Sequence, residues 1–313
     1  MRGKVTGLRF EGELVLSSDC QGLLREIGDQ LDIGVFPLVF NGGVVRSGEA
    51  HVVSSTPDDM KVKENDGKRK RSSERRPRQG QGARPRSPGS APRISSSGFR
   101  KSYEAQMREV EIAYPRTVCW EDERGMWLLV KSTILEGLDQ HATFLVGLPF
   151  EFGLGARSWA FWTKNGQHHW MGRRHTNFPD GSICAFALSE GVWSEGGDLI
   201  TLLDLYSVWA LRQLHYQAFG RWPGPQHTNS LFYRFREFQD DELCSCEFGL
   251  RYKECCKQND RSMFLADPMR VKAEFDRITN GCQLDDRTPP ALISDYFAGK
   301  LAKPPTLADA LCH

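Results

Sequence analysis

The sequence predicts an α+β fold: an antiparallel four-stranded meander flanked by helices, with a small cysteine-rich module appended. Three observations carry this reading. Four β-rich apolar runs follow one another between residues 117 and 162, separated by short polar breaks. An apolar stripe at helical spacing comes next, on Leu199, Leu202, Leu203, Tyr206, Trp209, Ala210 and Leu214. Four of the nine cysteines then crowd into Cys244–Cys256.

The chain has 313 residues, a length that allows two domains. Residues 1–55 read as a small α/β N-terminal module. Lys4–Phe10 and Glu13–Leu16 are strand-like, and Cys20–Leu31 is a helix with Asp19 as N-cap and Leu23, Leu24 and Ile27 on one face. Phe36–Gly43 reads as a third strand and its turn, an order faintly like the first half of a β-grasp unit. Residues 56–102 read as a disordered basic linker, because between 61 and 101 only Val62, Ala83, Ala91, Ile94 and Phe99 are apolar.

Residues 103–225 form the main unit. Tyr103–Ala113 is an amphipathic helix stopped before Pro115. The strands start at Thr117, Met126, Ala142 and Ser158, and the helix beginning near Asp198 packs its stripe on the sheet. Residues 240–260 hold the cysteine module, and Pro268–Ile278 is a further helix. The remainder of 261–313 reads as a loosely packed tail, and Cys282 and Cys312 carry no spacing signal.

The net charge of +1 conceals an asymmetry. Residues 61–101 hold 14 basic and 3 acidic side chains, and the remainder holds 27 basic and 37 acidic ones. Lys68–Arg71 could touch nucleic acid, but a solvated tether is the preferred reading, so nucleic acid is the less favoured partner. No apolar leader follows Met1, and no run of ~18 apolar residues occurs, which argues against a signal peptide and a membrane span. Reactive and metal-bound thiols fit a reducing, cytoplasmic setting better than a disulfide framework does.

The chemistry concentrates in residues 175–184, His-Thr-Asn-Phe-Pro-Asp-Gly-Ser-Ile-Cys, with Trp193 nine residues further on. A cysteine after a Gly-Ser-Ile turn sits on a bent segment where a thiol can be reached. The amide of Asn177 can donate to a developing oxyanion. A nucleophile and an oxyanion donor are what acyl transfer through a thioester requires. The stretch resembles the active-site segment of ubiquitin-conjugating enzymes, where His-Pro-Asn precedes Gly-Ser-Ile-Cys and a tryptophan follows. His175 and Asn177 match the triplet, with Thr176 in place of its proline and a loop one residue shorter. Gly181–Cys184 match the run that ends in the catalytic cysteine, and Trp193 matches the tryptophan.

The resemblance implies a ubiquitin-conjugating-enzyme-like fold of a divergent bacterial branch, the family's proline-rich segment being reduced to Leu148-Pro149. It assigns a catalytic set of Cys184 as thioester nucleophile, Asn177 as oxyanion support and His175 as brace of the loop. Asp198 and Ser194 are candidates for the polar residue that faces the cysteine. Transfer itself needs no cofactor. The implied partners are a ThiF-like activating enzyme, a ubiquitin-like modifier, a JAB-type deconjugating peptidase and a protein target. A cyclic-nucleotide synthase of a CBASS-type anti-phage operon is one candidate target.

In the second cluster, Cys244 and Cys246 form a C-x-C pair, and eight residues separate it from Cys255-Cys256. This spacing can bring four thiolates around one ion, and zinc favours four sulfurs in a closed tetrahedron. Gly249 lets the loop turn back. The segment resembles the SEC-C motif, with Phe248 in place of its serine, which implies structural zinc and a docking role towards protein or nucleic acid. Two rival functions remain: a non-catalytic scaffold that binds through this module and the basic linker, and a hydrolytic cysteine enzyme. The latter would use His168, His169 or His175 as base, and none of them has a protease spacing.

Overall fold

The computed structural model describes residues 16–40, 42–45, 96–186, 191–228, 230–246 and 249–311. The strands expected before residue 16, the linker up to residue 95, Phe248 and Cys312 lie outside the described residues. The architecture is α+β with antiparallel sheets. The central sheet is a sequential meander of β3 (Val118–Glu121), β4 (Gly125–Ser132), β5 (His141–Pro149), β6 (Arg157–Lys164) and β7 (Gln167–Trp170). The four expected strands are present and β7 adds a fifth. Asn165 (φ +51°) and Gly166 (φ +77°) turn β6 into β7, the left-handed pair that a two-residue hairpin with matching twist requires.

The sheet is buried on both faces. Met126, Leu128, Val130, Phe144, Val146, Ala160 and Trp162 point to the main core. There they meet α2 (Ser96–Ala113) and α3 (Leu199–Phe219). The expected stripe of α3, from Leu199 to Leu214, is buried throughout. Asp198 caps this helix by accepting from the Thr201 amide at 2.8 Å, and Gly220 ends it in the left-handed region at φ +70°. Helix α2 begins at Ser96, inside the segment read as linker, because Phe99 (1% exposed) stacks between Tyr103 and Phe152.

Helix α1 (Ser18–Asp32) is capped by Ser17, not by Asp19: the Ser17 hydroxyl accepts from the Cys20 amide at 3.2 Å. Its Leu24, Ile27 and Leu31 are fully buried in the same core as the meander. The hairpin of β1 (Leu38–Phe40) and β2 (Gly43–Val45) joins that core through the Val44 amide, which donates to the Ile134 carbonyl at 2.8 Å. The described part of the segment expected as a separate N-terminal module therefore shares one core with the main unit.

The opposite face of the sheet carries Trp127, Leu145, Trp159 and Phe161. The C-terminal segment, expected as a loose tail, covers it. Ile293 and Phe297 of α7 (Ala291–Phe297) and Leu307 and Ala310 of α8 (Leu307–Leu311) pack there, with the rings of Phe161 and Phe297 stacked at 3.8 Å. Leu307 lies so close to the sheet that a Cβ at Gly147 would sit 2.7 Å from its Cδ2. Burial on both faces is why β4, β5 and β6 read as nearly continuous apolar runs instead of alternating ones.

The remaining helices are α4 (Leu231–Glu237), α5 (Lys257–Ala266) and α6 (Pro268–Ile278), the last as expected and capped by Asp267. Among the described residues no helix is long and apolar enough to cross a membrane.

Truncating Ile293 to alanine should cost about 2–5 kcal/mol, the range for a fully buried large-to-small change. Urea unfolding followed by tryptophan fluorescence measures it. An unchanged midpoint would show that α7 does not close the outer face.

Candidate functional site

Residues 175–184 close into a hairpin-like loop at the end of the meander. The Cys184 amide donates to the His175 carbonyl at 3.0 Å, and the Asn177 amide donates to the Ser182 carbonyl at 2.7 Å. Thr176 and Ile183 pair between these bonds. The Ile183 amide donates to the Ser158 carbonyl at 2.7 Å, which fastens the loop to β6. The tip is fixed from within, because Asp180 accepts from both the amide (3.0 Å) and the hydroxyl (2.8 Å) of Ser182. Gly181 is required at φ +63°, where a Cβ would lie 2.9 Å from the Thr288 carbonyl carbon.

The three residues of the expected catalytic set, His175, Asn177 and Cys184, all lie in this loop. Cys184 is half-buried at its end. The Asn177 side-chain amide is tied to the run that leads into Cys184: Nδ2 donates to the Ile183 carbonyl at 2.9 Å and to the Ser182 hydroxyl at 3.2 Å. His175 braces the loop. Its carbonyl accepts from Cys184 and also from Trp209 Nε1 of α3 at 2.8 Å, while its ring lies 4.2 Å from that of Trp222. Burial holds the His175 imidazole well below its usual range, and the Arg174 charge adds to the effect.

Downstream, Trp193 is buried and donates from Nε1 to the Asp198 carbonyl at 2.8 Å. Asp198, one candidate partner of the cysteine, spends its carboxylate on capping α3. The Ser194 carbonyl accepts from the Gly197 amide at 2.8 Å.

The second centre is a knuckle. Cys244, Cys246, Cys255 and Cys256 place their sulfurs within 4.8 Å of one another and could hold a metal ion. Cys244 is buried and the other three are half-buried. A tetrahedral four-sulfur site has edges of about 3.8 Å; the Cys255–Cys256 pair lies at 3.7 Å, and the Cys246–Cys255 pair, at 3.0 Å, is closer than such an edge. The two arms pair through Leu243 and Arg251, with the Cys244 amide donating to the Leu250 carbonyl at 2.8 Å. Gly249 turns the loop at φ +66°. Behind the sulfurs, Arg234 grips buried Asp260 with two bonds of 2.7 and 2.8 Å, and Tyr252 donates to the same carboxylate at 3.1 Å. The soft donor set and these surroundings fit a thiolate-bound cation. Hydrogen bonding to the Cys246 thiol pushes the Cys255 thiol above its ordinary range, and burial does the same to Cys256.

A buried polar cluster joins the two centres. Arg174, 4% exposed, donates to Glu242 and to the Glu237 carbonyl, and to Gln226 Oε1 at 2.8 Å. Glu242, fully buried, also accepts from the Trp222 amide at 2.8 Å and from Gln226 Nε2 at 3.0 Å. Gln226 Oε1 lies 2.7 Å from His175 Nε2. Sequence reading missed Arg174, Gln226, Glu237 and Glu242, since isolated polar residues in loops carry no periodic signal. The left-handed turn before β7 did have one, the Asn165-Gly166 pair.

Comparison with family models, with curated proteins and with solved structures finds no significant match to this chain.

Two outcomes are expected. His175 is neutral in the fold, whereas in the unfolded chain it protonates near its ordinary value of 6.5. The unfolded state therefore binds more protons as pH falls below that value, and this contribution to stability is complete above it and lost below it. His175→Gln should flatten the stability–pH slope between about pH 7 and pH 5, by at most about 1.4 kcal/mol per pH unit for one proton; an identical slope would place the imidazole in solvent. For the knuckle, one metal ion per chain is expected, with Cys255→Ser weakening its retention in elemental analysis of dialysed protein. Metal-free protein from a chelator-free preparation would exclude the site.

Proposed function

We propose that this chain is a conjugating enzyme for a ubiquitin-like modifier, with Cys184 as the acyl carrier. The observation that carries the reading is the Asn177 side chain, whose amide grips the carbonyl immediately before Cys184 in a closed His-x-Asn…Gly-Ser-Ile-Cys loop. An asparagine two residues after the bracing histidine is thereby joined to the backbone of the cysteine that the family resemblance singles out. The helix, meander, cysteine loop and second helix also follow in the order the resemblance implies.

In the proposed reaction the Cys184 thiolate attacks the carbonyl carbon of the modifier's C-terminal thioester on the activating enzyme. A new C–S bond forms, and the activating enzyme's cysteine leaves as a thiolate. A target amine then attacks the Cys184 thioester, loses a proton and expels the Cys184 thiolate. Both steps pass through a tetrahedral oxyanion, and a single well-aimed amide donor there is worth about 10²–10³ in rate. Asn177 would supply it by exchanging one of its two loop acceptors for that oxygen. His175, neutral and tied to Gln226, serves as a brace and not as the proton acceptor.

The knuckle would hold zinc as a structural ion, since all four of its ligands are protein sulfurs and no open position is left for chemistry. The reading places the chain beside a ThiF-like activating enzyme and a JAB-type peptidase in the bacterial cytoplasm. Anti-phage defence is its proposed setting.

The test is loading with activating enzyme, modifier and ATP, resolved on non-reducing gels. Cys184→Ala should abolish a thiol-sensitive adduct, and Cys184→Ser should convert it to a thiol-resistant ester. Asn177→Ala should slow discharge to a free amine by about 10²–10³-fold and affect loading less. An undiminished adduct in Cys184→Ala would sink the assignment, because another residue would then carry the modifier; no adduct even in the unsubstituted chain would favour a binding scaffold.

A further inference from the structure

One amide links the cysteine loop to the knuckle. Gln226 Nε2 donates to Glu242 Oε2 at 3.0 Å and to the Leu243 carbonyl at 3.3 Å. Both partners are acceptors, so Oε1 must be the atom that faces Arg174 and His175. His175 therefore carries its proton on Nε2 and donates it to Gln226 at 2.7 Å. On the other side, Glu242 and Leu243 are the two residues before the first sulfur of the knuckle. The Glu242 carbonyl accepts from the Tyr252 amide at 2.8 Å, across the paired arms. Hydrogen bonds, joined through the covalent frames of Glu242, Gln226 and His175, thus connect those arms to the Cys184 amide.

We infer that Gln226 is a positioning residue that transmits the state of the four-cysteine knuckle to the Cys184 loop, so that the loop holds its pose only while the knuckle is closed around an ion. With no cation to bind the four thiols, only the backbone pairing of Leu243 with Arg251 and its flanking hydrogen bonds hold the two arms together, and the arms that carry Glu242 and Leu243 loosen. Glu242 stays paired with Arg174, but the Leu243 carbonyl is drawn away from Gln226 Nε2. A buried amide that loses an acceptor must reorient to recover one. Its reorientation takes the acceptor from His175, whose carbonyl anchors Cys184. The consequence for transfer rests on Cys184 being the acyl carrier, while the coupling itself rests on geometry alone.

Hydrogen exchange on the full chain, metal-loaded and after stripping with a chelator, tests the coupling. Stripping should speed exchange at the Asn177 and Cys184 amides by about tenfold or more and leave the amides of β4 and β5 unchanged. Gln226→Leu should reproduce the faster exchange while retaining its metal. Stripping this variant should then add a smaller increment than it does in the unsubstituted chain, because the two perturbations act on one linkage; independent, purely structural effects would add in full. Alkylation of Cys184 by iodoacetamide, followed by peptide mass mapping, should rise in parallel.

Unchanged exchange at residues 174–184 in the stripped, unsubstituted chain overturns the inference, and so do additive effects. Should Gln226→Leu not fold, the stripped chain decides alone. These readouts use neither modifier nor activating enzyme. Coupling without thioester formation would refute the carrier reading only, and thioester formation without coupling would refute this inference only.

Discussion

A guanidinium enclosed by protein sets the arrangement around the cysteine loop. Arg174 is cut off from water, so its charge has to be met by acceptors brought in from elsewhere in the chain. Glu237 at the end of α4, Gln226 in the loop before it and Glu242 at the root of the knuckle converge on it. The rings of Tyr216 and Phe238 close over its faces at 5.6 and 5.1 Å. Removing one partner from such a cluster strands the others and typically costs 3–5 kcal/mol. Arg174 immediately precedes His175. The geometry that satisfies the charge therefore also determines where the cysteine loop meets the knuckle.

One arm of the knuckle is also tied to α1. Arg251 donates to Asp32 at 2.9 Å, and Asp32, at the end of α1, accepts from Arg221 and from the Gly224 amide at 2.8 Å. A module of some twenty residues, too small for a core of its own, is thus held on two sides by buried or half-buried charges. Its independence from the main unit, natural to expect from spacing alone, does not survive these contacts.

What could be read from the sequence divides along physical lines. Elements that announce themselves through period or local chemistry were legible: the stripe of α3, the stop of α2 before Pro115, the Pro268 start of α6 and the spacing of the four cysteines. The composition of Gly181–Cys184 pointed to a turn, and the loop closes there. Elements defined by distant partners were not legible. The C-terminal segment looked loose because its apolar residues are few and scattered, yet four of them suffice to cover four large side chains on the sheet. The continuous apolar runs of β4–β6 did signal two covered faces, but they do not say which segment supplies the second cover. The polar cluster around Arg174 had no signature, since its members are far apart in the chain and alternate with ordinary loop residues.

The strap formed by α7 and α8 bears on how the chain reaches its native state. Trp127 and Trp159 wait for partners that lie well over a hundred positions further along. Until those residues arrive, the meander presents a broad aromatic surface to its surroundings. Contacts of such long sequence separation form late, since the intervening loop must be closed first. The half-assembled sheet is the species most prone to stick to its neighbours. The short helices that finish the fold therefore also act as the step that ends its vulnerability, and the time spent before they dock governs how much newly made chain is lost to aggregation.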